Sequence, residues 1–193
     1  MLDSANIDIC GKFEIDASLH TVKGVEIKDI AHGSKAQSLQ KINAEFVLKG
    51  NIVRGIEFSG SIANGKQTID GNFNIESKSY ATGVLFNTII SGNQTINATF
   101  KIVDKDSNAT GVQFGVINGG KQTVNGVYSI KAEKSFGNAV IFDNNINSGS
   151  ITINGIFSII SMSTSAITSA ITINGSVTGT TIDIKGLYNV YAY

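Results

Sequence analysis

From Thr68 to Ile75 the chain alternates between small or apolar residues (Ile69, Gly71, Phe73, Ile75) and polar ones (Thr68, Asp70, Asn72, Asn74). Residues two apart in an extended chain share a face, so this pattern predicts one amphipathic strand. Asp70-Gly71 would also suit a two-residue hairpin turn. That turn would set Ile69 opposite Asn72 and Thr68 opposite Phe73, mixing polar and apolar residues on both faces. Alanine, which resists positive φ, holds the Gly71 slot elsewhere, at Ala44 and Ala98. Gly71 therefore reads as the small member of a buried face.

The same strand recurs along the chain. The consensus Ile-x-Gly/Ala-x-Phe/Tyr-x-Ile starts at Ile9, Ile42, Ile69, Ile96, Val124, Ile153 and Ile184, with a shortened copy at Ile173 and central spacings of 27, 27, 28 and 29 residues. A second apolar strand, as in "GIEFSGSI", precedes the middle copies and places Phe58, Phe86, Phe114 and Phe142 at intervals of 28. Between the two strands lie "ANGK", "SGN", "GGK" and "NSGS", the chemistry of turns. Polar stretches such as "ESKSYAT" and "DKDSNAT" lead from one repeat to the next. Residues 1–193 thus read as a single repeat-built all-β domain of two-strand units.

Turning through "ANGK" brings Phe58 level with Gly71, and the same register pairs Phe86 with Ala98, Phe114 with Gly126, and Phe142 with Gly155. Large against small is what a close-packed core requires. Two architectures satisfy it. In a β-solenoid the two strands of a unit face each other and successive units stack, making one Phe ladder opposite one Gly/Ala ladder. In an antiparallel up-and-down meander the strands form hairpins that close into a barrel or sandwich. The near-constant period favours the solenoid, because each coil must match its neighbours in shape. Stacking would also line up Thr68, Thr95, Thr123 and Thr152, and Asp70, Asn97, Asn125 and Asn154, as outward polar ladders.

The segments "INGGKQTVNGVYS" (117–129) and "SGNQTINATF" (91–100) resemble the Gly-Gly-x-Gln-x-Val-type repeats in passenger regions of bacterial self-associating autotransporter adhesins. The resemblance lies in the middle third of the chain. It implies a β-solenoid and a place at the cell surface.

Composition narrows the function. Lys plus Arg equals Asp plus Glu at 15 each, and Arg54 is the sole arginine, so nothing here neutralises a nucleic-acid backbone. No apolar run reaches the roughly 18 residues of a spanning helix, and "MLDSANIDIC" lacks the form of a secretory signal. The chain reads either as cytosolic or as exported with its signal removed, and an extracellular or cell-surface place is the favoured expectation. His20 and His32 stand apart from the best repeats, so neither a metal cluster nor a catalytic triad assembles, and no cofactor motif is present. Asp104, Asp106 and Asn108 have the first three ligand spacings of a calcium loop, but Ala109 and Gly115 stand where that loop needs Gly and Glu. A solvated linker is the favoured reading there, with a low-affinity calcium site as the alternative.

The repeat begins at Ile9 and runs to Val190 without the polar caps that repeat arrays generally carry. Exposed strand edges invite pairing with another chain. The expectation is a non-enzymatic structural protein that forms a homo-oligomer or polymer, a filament, sheath or surface fibre. Its terminal strands would lie in residues 6–15 and 181–193, through Ile9, Cys10, Phe13, Ile15, Ile184, Tyr188 and Val190. Cys10 is the lone cysteine and could bridge subunits. Two alternatives stay open: an adhesin module that binds a surface glycan on its polar ladder, and a membrane-active or pore-forming β-protein, against which the lack of aromatic girdles speaks.

Overall fold

The computed structural model describes residues 6–28, 39–162 and 168–193. Each of β1 (Ile7–Ile27), β2 (Leu39–Ile62) and β3 (Gly65–Ile89) makes a whole coil. From there each coil divides in two: β4 (Gly92–Asp104) with β5 (Asn108–Ile117), β6 (Lys121–Ala132) with β7 (Gly137–Phe142), and β8 (Gly149–Ser161) with β9 (Ser169–Ile173). A last strand, β10 (Thr180–Ala192), forms only the first half of a further coil.

Every strand pair is parallel. Hydrogen-bonded order runs β1-β2-β3, then β3-β4-β6-β8-β10 for first halves and β3-β5-β7-β9 for second halves. A meander is antiparallel throughout, so the fold is a β-solenoid and not a barrel or sandwich. It extends far beyond the middle third of the chain, spanning β1 to β10.

The register matches the repeat: Ile9, Ile42, Ile69, Ile96, Val124, Ile153 and Ile184 are stacked partners. Four residues on, the aromatic position becomes an unbroken stack: Phe13, Phe46, Phe73, Phe100, Tyr128, Phe157 and Tyr188, with adjacent centroids 4.7–5.0 Å apart. Phe58, Phe86, Phe114 and Phe142 form a second stack at 4.7–5.3 Å on the second halves. Ring spacing is set by the strand spacing of about 4.8 Å, so the aromatic side chains stack because the backbones do.

Gly71, Ala98, Gly126 and Gly155 are also in register. What demands smallness there is the preceding coil: a Cβ on Gly71 would collide with the Ala44 carbonyl oxygen, and one on Gly155 would come within 2.5 Å of the Gly126 oxygen. Gly126 has φ +150°, so this slot does use glycine's freedom in one central copy, although Gly71 does not. The ring-on-glycine contacts are made by the other motif. A Cβ on Gly55 would lie 2.7 Å from the Phe73 ring, and one on Gly111 2.6 Å from the Tyr128 ring. Phe46, Phe73, Phe100 and Tyr128 thus pack across the core onto Gly24, Gly55, Gly83 and Gly111 of the previous coil's second half.

Chain reversal between coils uses the foreseen residues. Ala63 and Asn64 turn β2 into β3 with Asn64 at φ 53°. Gly92, Gly120 and Gly149 take φ of 107°, 90° and 112° at the equivalent corners.

Candidate functional site

At the C-terminal end, β10 pairs with β8 along one edge only. Tyr188 stacks on Phe157 at 4.9 Å and 7°, yet keeps 38% of its surface exposed. Ile184 and Val190 occupy slots whose equivalents Ile153 and Ile159 are fully buried, but they remain 45% and 40% exposed. At the other end Phe13 stacks on Phe46, while Ile9 and Ile15 are half-buried. Cys10 is exposed and stands in register with Asn43 and Asp70 on the outward face.

The outer surface of the first halves is less polar than the sequence reading supposed. Val127, Ile156 and Leu187 are register partners at 43%, 49% and 61% exposure, making an apolar stripe that widens toward β10. On the same face Asn97 donates to Asp70 and Asn125 to Asn97, each at 2.9 Å.

Inside the core runs a polar ladder that the sequence reading missed. Gln67 donates to Gln40 at 2.5 Å, Gln94 to Gln67 at 2.7 Å and Gln122 to Gln94 at 2.9 Å, all buried. Parity was the available signal: Gln67 shares its face with Ile69, Gly71 and Phe73. The ladder stops where Ile151 follows Gln122 in register, leaving the Gln122 Oε1 buried without a partner.

The three loop residues do not converge on a common point. Asp104 is buried; its carboxylate accepts from the Ser77 hydroxyl and from the backbone N–H groups of Asp106 (3.2 Å) and Ser107 (2.5 Å). Burial pushes its carboxyl above the usual range, against the opposing pull of those hydrogen bonds. Asp106 pairs with Lys134 at 2.5 Å, and Asn108 accepts from Ser135 at 2.9 Å. The segment is a hydrogen-bonded corner, and among the described residues no cluster of three or more His, Cys, Asp or Glu side chains could hold a metal ion. His20 is exposed, and His32 lies outside the described residues.

The second-half sheet carries a groove of about 340 Å³ on its outer face, crossing β3, β5, β7 and β9. Tyr80 donates to Gln113 at 2.7 Å, and Gln113 donates to Asp143, which also accepts from Asn174 at 3.3 Å. Asn138, almost buried, has its Oδ1 against the hydroxyls of Ser169 at 3.1 Å and Thr172 at 2.9 Å. Phe136 lies at the rim, 40% exposed, its carbonyl held by the Ala109 N–H at 3.0 Å. On the earlier coils this same face instead holds an ion-pair network, Lys23 with Glu26 and Glu57, and Arg54 with Glu57.

Together these features define the class: a repeat-built parallel β-solenoid with stacked aromatic and amide ladders. The chain matches no family model, no curated protein and no solved structure.

Proposed function

We propose that the protein is a non-enzymatic structural subunit that assembles end to end into a filament, sheath or fibre at or outside a cell surface. The observation that carries this reading is the open face of β10, where Ile184, Tyr188 and Val190 continue the core ladders and remain partly exposed. By the repeat's own register, a second copy laying Ile7–Ala17 along β10 sets Ile9 on Ile184, Phe13 on Tyr188 and Ile15 on Val190. The aromatic stack then passes from one molecule to the next at the strand spacing of about 4.8 Å. Because the two ends differ, the contact is heterologous and generates an open polymer rather than a closed dimer. The likeness of the middle repeats to autotransporter passenger repeats supports the surface setting. The membrane-active alternative loses its basis, since the apolar faces it would offer to lipid line the solenoid core. Among the described residues no helix is long and apolar enough to cross a membrane.

The test uses two charge substitutions, Ile9→Lys and Val190→Lys, with sedimentation velocity and electron microscopy. Wild type is expected to elongate and each variant alone to stay monomeric. An equimolar mixture should form a dimer, since each variant keeps the end the other lacks. A wild-type protein that remains monomeric at high concentration overturns the proposal, and so does an Ile9→Lys variant that dimerises by itself.

A further inference from the structure

The groove across β3, β5, β7 and β9 is unrelated to the open ends, and end-to-end assembly would leave it uncovered. We infer that it binds a short neutral oligosaccharide lying along the solenoid axis. Its volume of about 340 Å³ falls in the range of small-ligand clefts. Four stacked strands at about 4.8 Å spacing give it a length of about 14 Å.

Charge excludes the commoner polar ligands. No Lys or Arg lines the groove, so a phosphate, sulfate or uronate finds no cation there. The one acidic side chain in its lining, Asp143, has its oxygens engaged by the amides of Gln113 and Asn174. A peptide adding as a strand would need an open backbone edge, and β5 and β7, which form the groove's centre, are hydrogen-bonded on both sides, while the one free edge, that of β9, lies at the groove's end. Over the centre of the groove the recognising falls to side chains.

Their arrangement suits a sugar, which offers an apolar C–H face and several hydroxyls that both donate and accept. The exposed ring of Phe136 supplies a flat apolar platform, positioned by its backbone bond to Ala109. The Ser169 and Thr172 hydroxyls, hydrogen-bonded to each other at 2.5 Å, both lie against the Asn138 Oδ1 and supply its donor, which leaves the Asn138 Nδ2 as a donor. Asn174 uses its Nδ2 on Asp143, which leaves its Oδ1 as an acceptor. A donor and an acceptor are thus held in place beside an aromatic surface, with little side-chain freedom left to lose on binding.

Calorimetric titration of the full chain with cellotriose, maltotriose, N-acetylchitotriose and trigalacturonate tests the inference. At least one neutral trisaccharide should bind while trigalacturonate does not. Phe136→Ala and Asn174→Ala, both at exposed positions, should each weaken that binding by about tenfold or more without lowering Tm. Running the titration on the Val190→Lys variant as well separates this site from assembly, since binding is expected to be unchanged there. Failure of all three neutral sugars to bind at millimolar concentration overturns the inference. Equal or tighter binding of trigalacturonate does too, as does binding that both substitutions leave intact.

Discussion

A polar residue in this solenoid is tolerated inside when its neighbours one coil away complete its hydrogen bonds. The glutamines do so by repetition, each donating to the one before. Asp104 does so alone: its coil partners are Ser77 and Ala132, and it draws on Ser77 and on the backbone of its own corner. Burial raises its carboxyl, so the native state holds that proton more tightly than the unfolded chain does. Its favourable contribution is complete below the ordinary aspartate value of about 3.9 and is lost as pH rises through the raised native value. Asp104→Asn keeps an oxygen for the N–H groups of Asp106 and Ser107 but carries no charge. Its Tm should therefore gain on wild type as pH goes from about 4 to about 7. Asp104→Ala leaves those donors without their acceptor and should cost about 1–3 kcal/mol across the same range. Thermal melts of the three proteins across that pH interval check both, and a constant difference between Asp104→Asn and wild type would show that Asp104 does not titrate in this way.

At the level of the strand, the contact that sets coil shape is an aromatic ring on a glycine of the coil before. Gly55 is one such case, since a methyl there would press on two atoms of the Phe73 ring at 2.7 and 2.8 Å and on the Gly83 carbonyl oxygen at 2.5 Å. Gly55→Ala should destabilise by about 1–3 kcal/mol through overpacking. Phe73→Leu should destabilise by a few kcal/mol through lost ring volume. The double variant should fall short of the sum, because the smaller side chain makes room for the methyl. Urea denaturation of the four proteins measures the coupling, and strict additivity would mean that ring and glycine do not share a contact. The sequence made the strands and their period legible, since alternation around Ile69 and Phe73 has only one face to bury. It paired Phe58 with Gly71, whereas the rings that meet glycine belong to the Phe73 position and the glycines to the Gly55 position. Parity tells which side chains point inward, but two inward-pointing strands can slide along each other without changing it. The groove was illegible for a related reason: Tyr80, Gln113 and Asn174 come from different coils, and only parallel stacking brings them to one wall. Charged side chains at the corners add register rather than much stability. Glu76 takes Lys105 at 2.6 Å and Lys49 at 4.0 Å, exposed pairs of the kind that contribute about 0–1 kcal/mol.

Over the whole molecule, each coil touches only the coils before and after it, so stability is a sum of nearest-neighbour terms along one axis. First halves β3, β4, β6 and β8 have a strand on both sides, and their Ile, Val, Phe and Tyr core positions are almost fully buried. β10 has one neighbour and leaves its core-facing side chains open. Local opening follows the number of contacts that must break, so amide exchange should grade along the axis. In the monomeric Val190→Lys variant the slowest amides should lie in Ile69–Ile75, Ile96–Ile102 and Val124–Ile130. Amides of Ile9–Ile15 and Ile184–Val190, in end strands with one neighbour each, should exchange faster than these. In the assembled wild type this gradient should flatten, because a docked β1 gives β10 its second neighbour and occupies its free edge. Hydrogen exchange read by mass spectrometry compares the two states peptide by peptide. Protection that rises at Ile184–Val190 and at Ile9–Ile15 together places the junction at the two ends. Polymers in which β10 still exchanges as fast as in the monomer would instead move the contact to the sides of the solenoid, where Val127, Ile156 and Leu187 form an exposed apolar stripe.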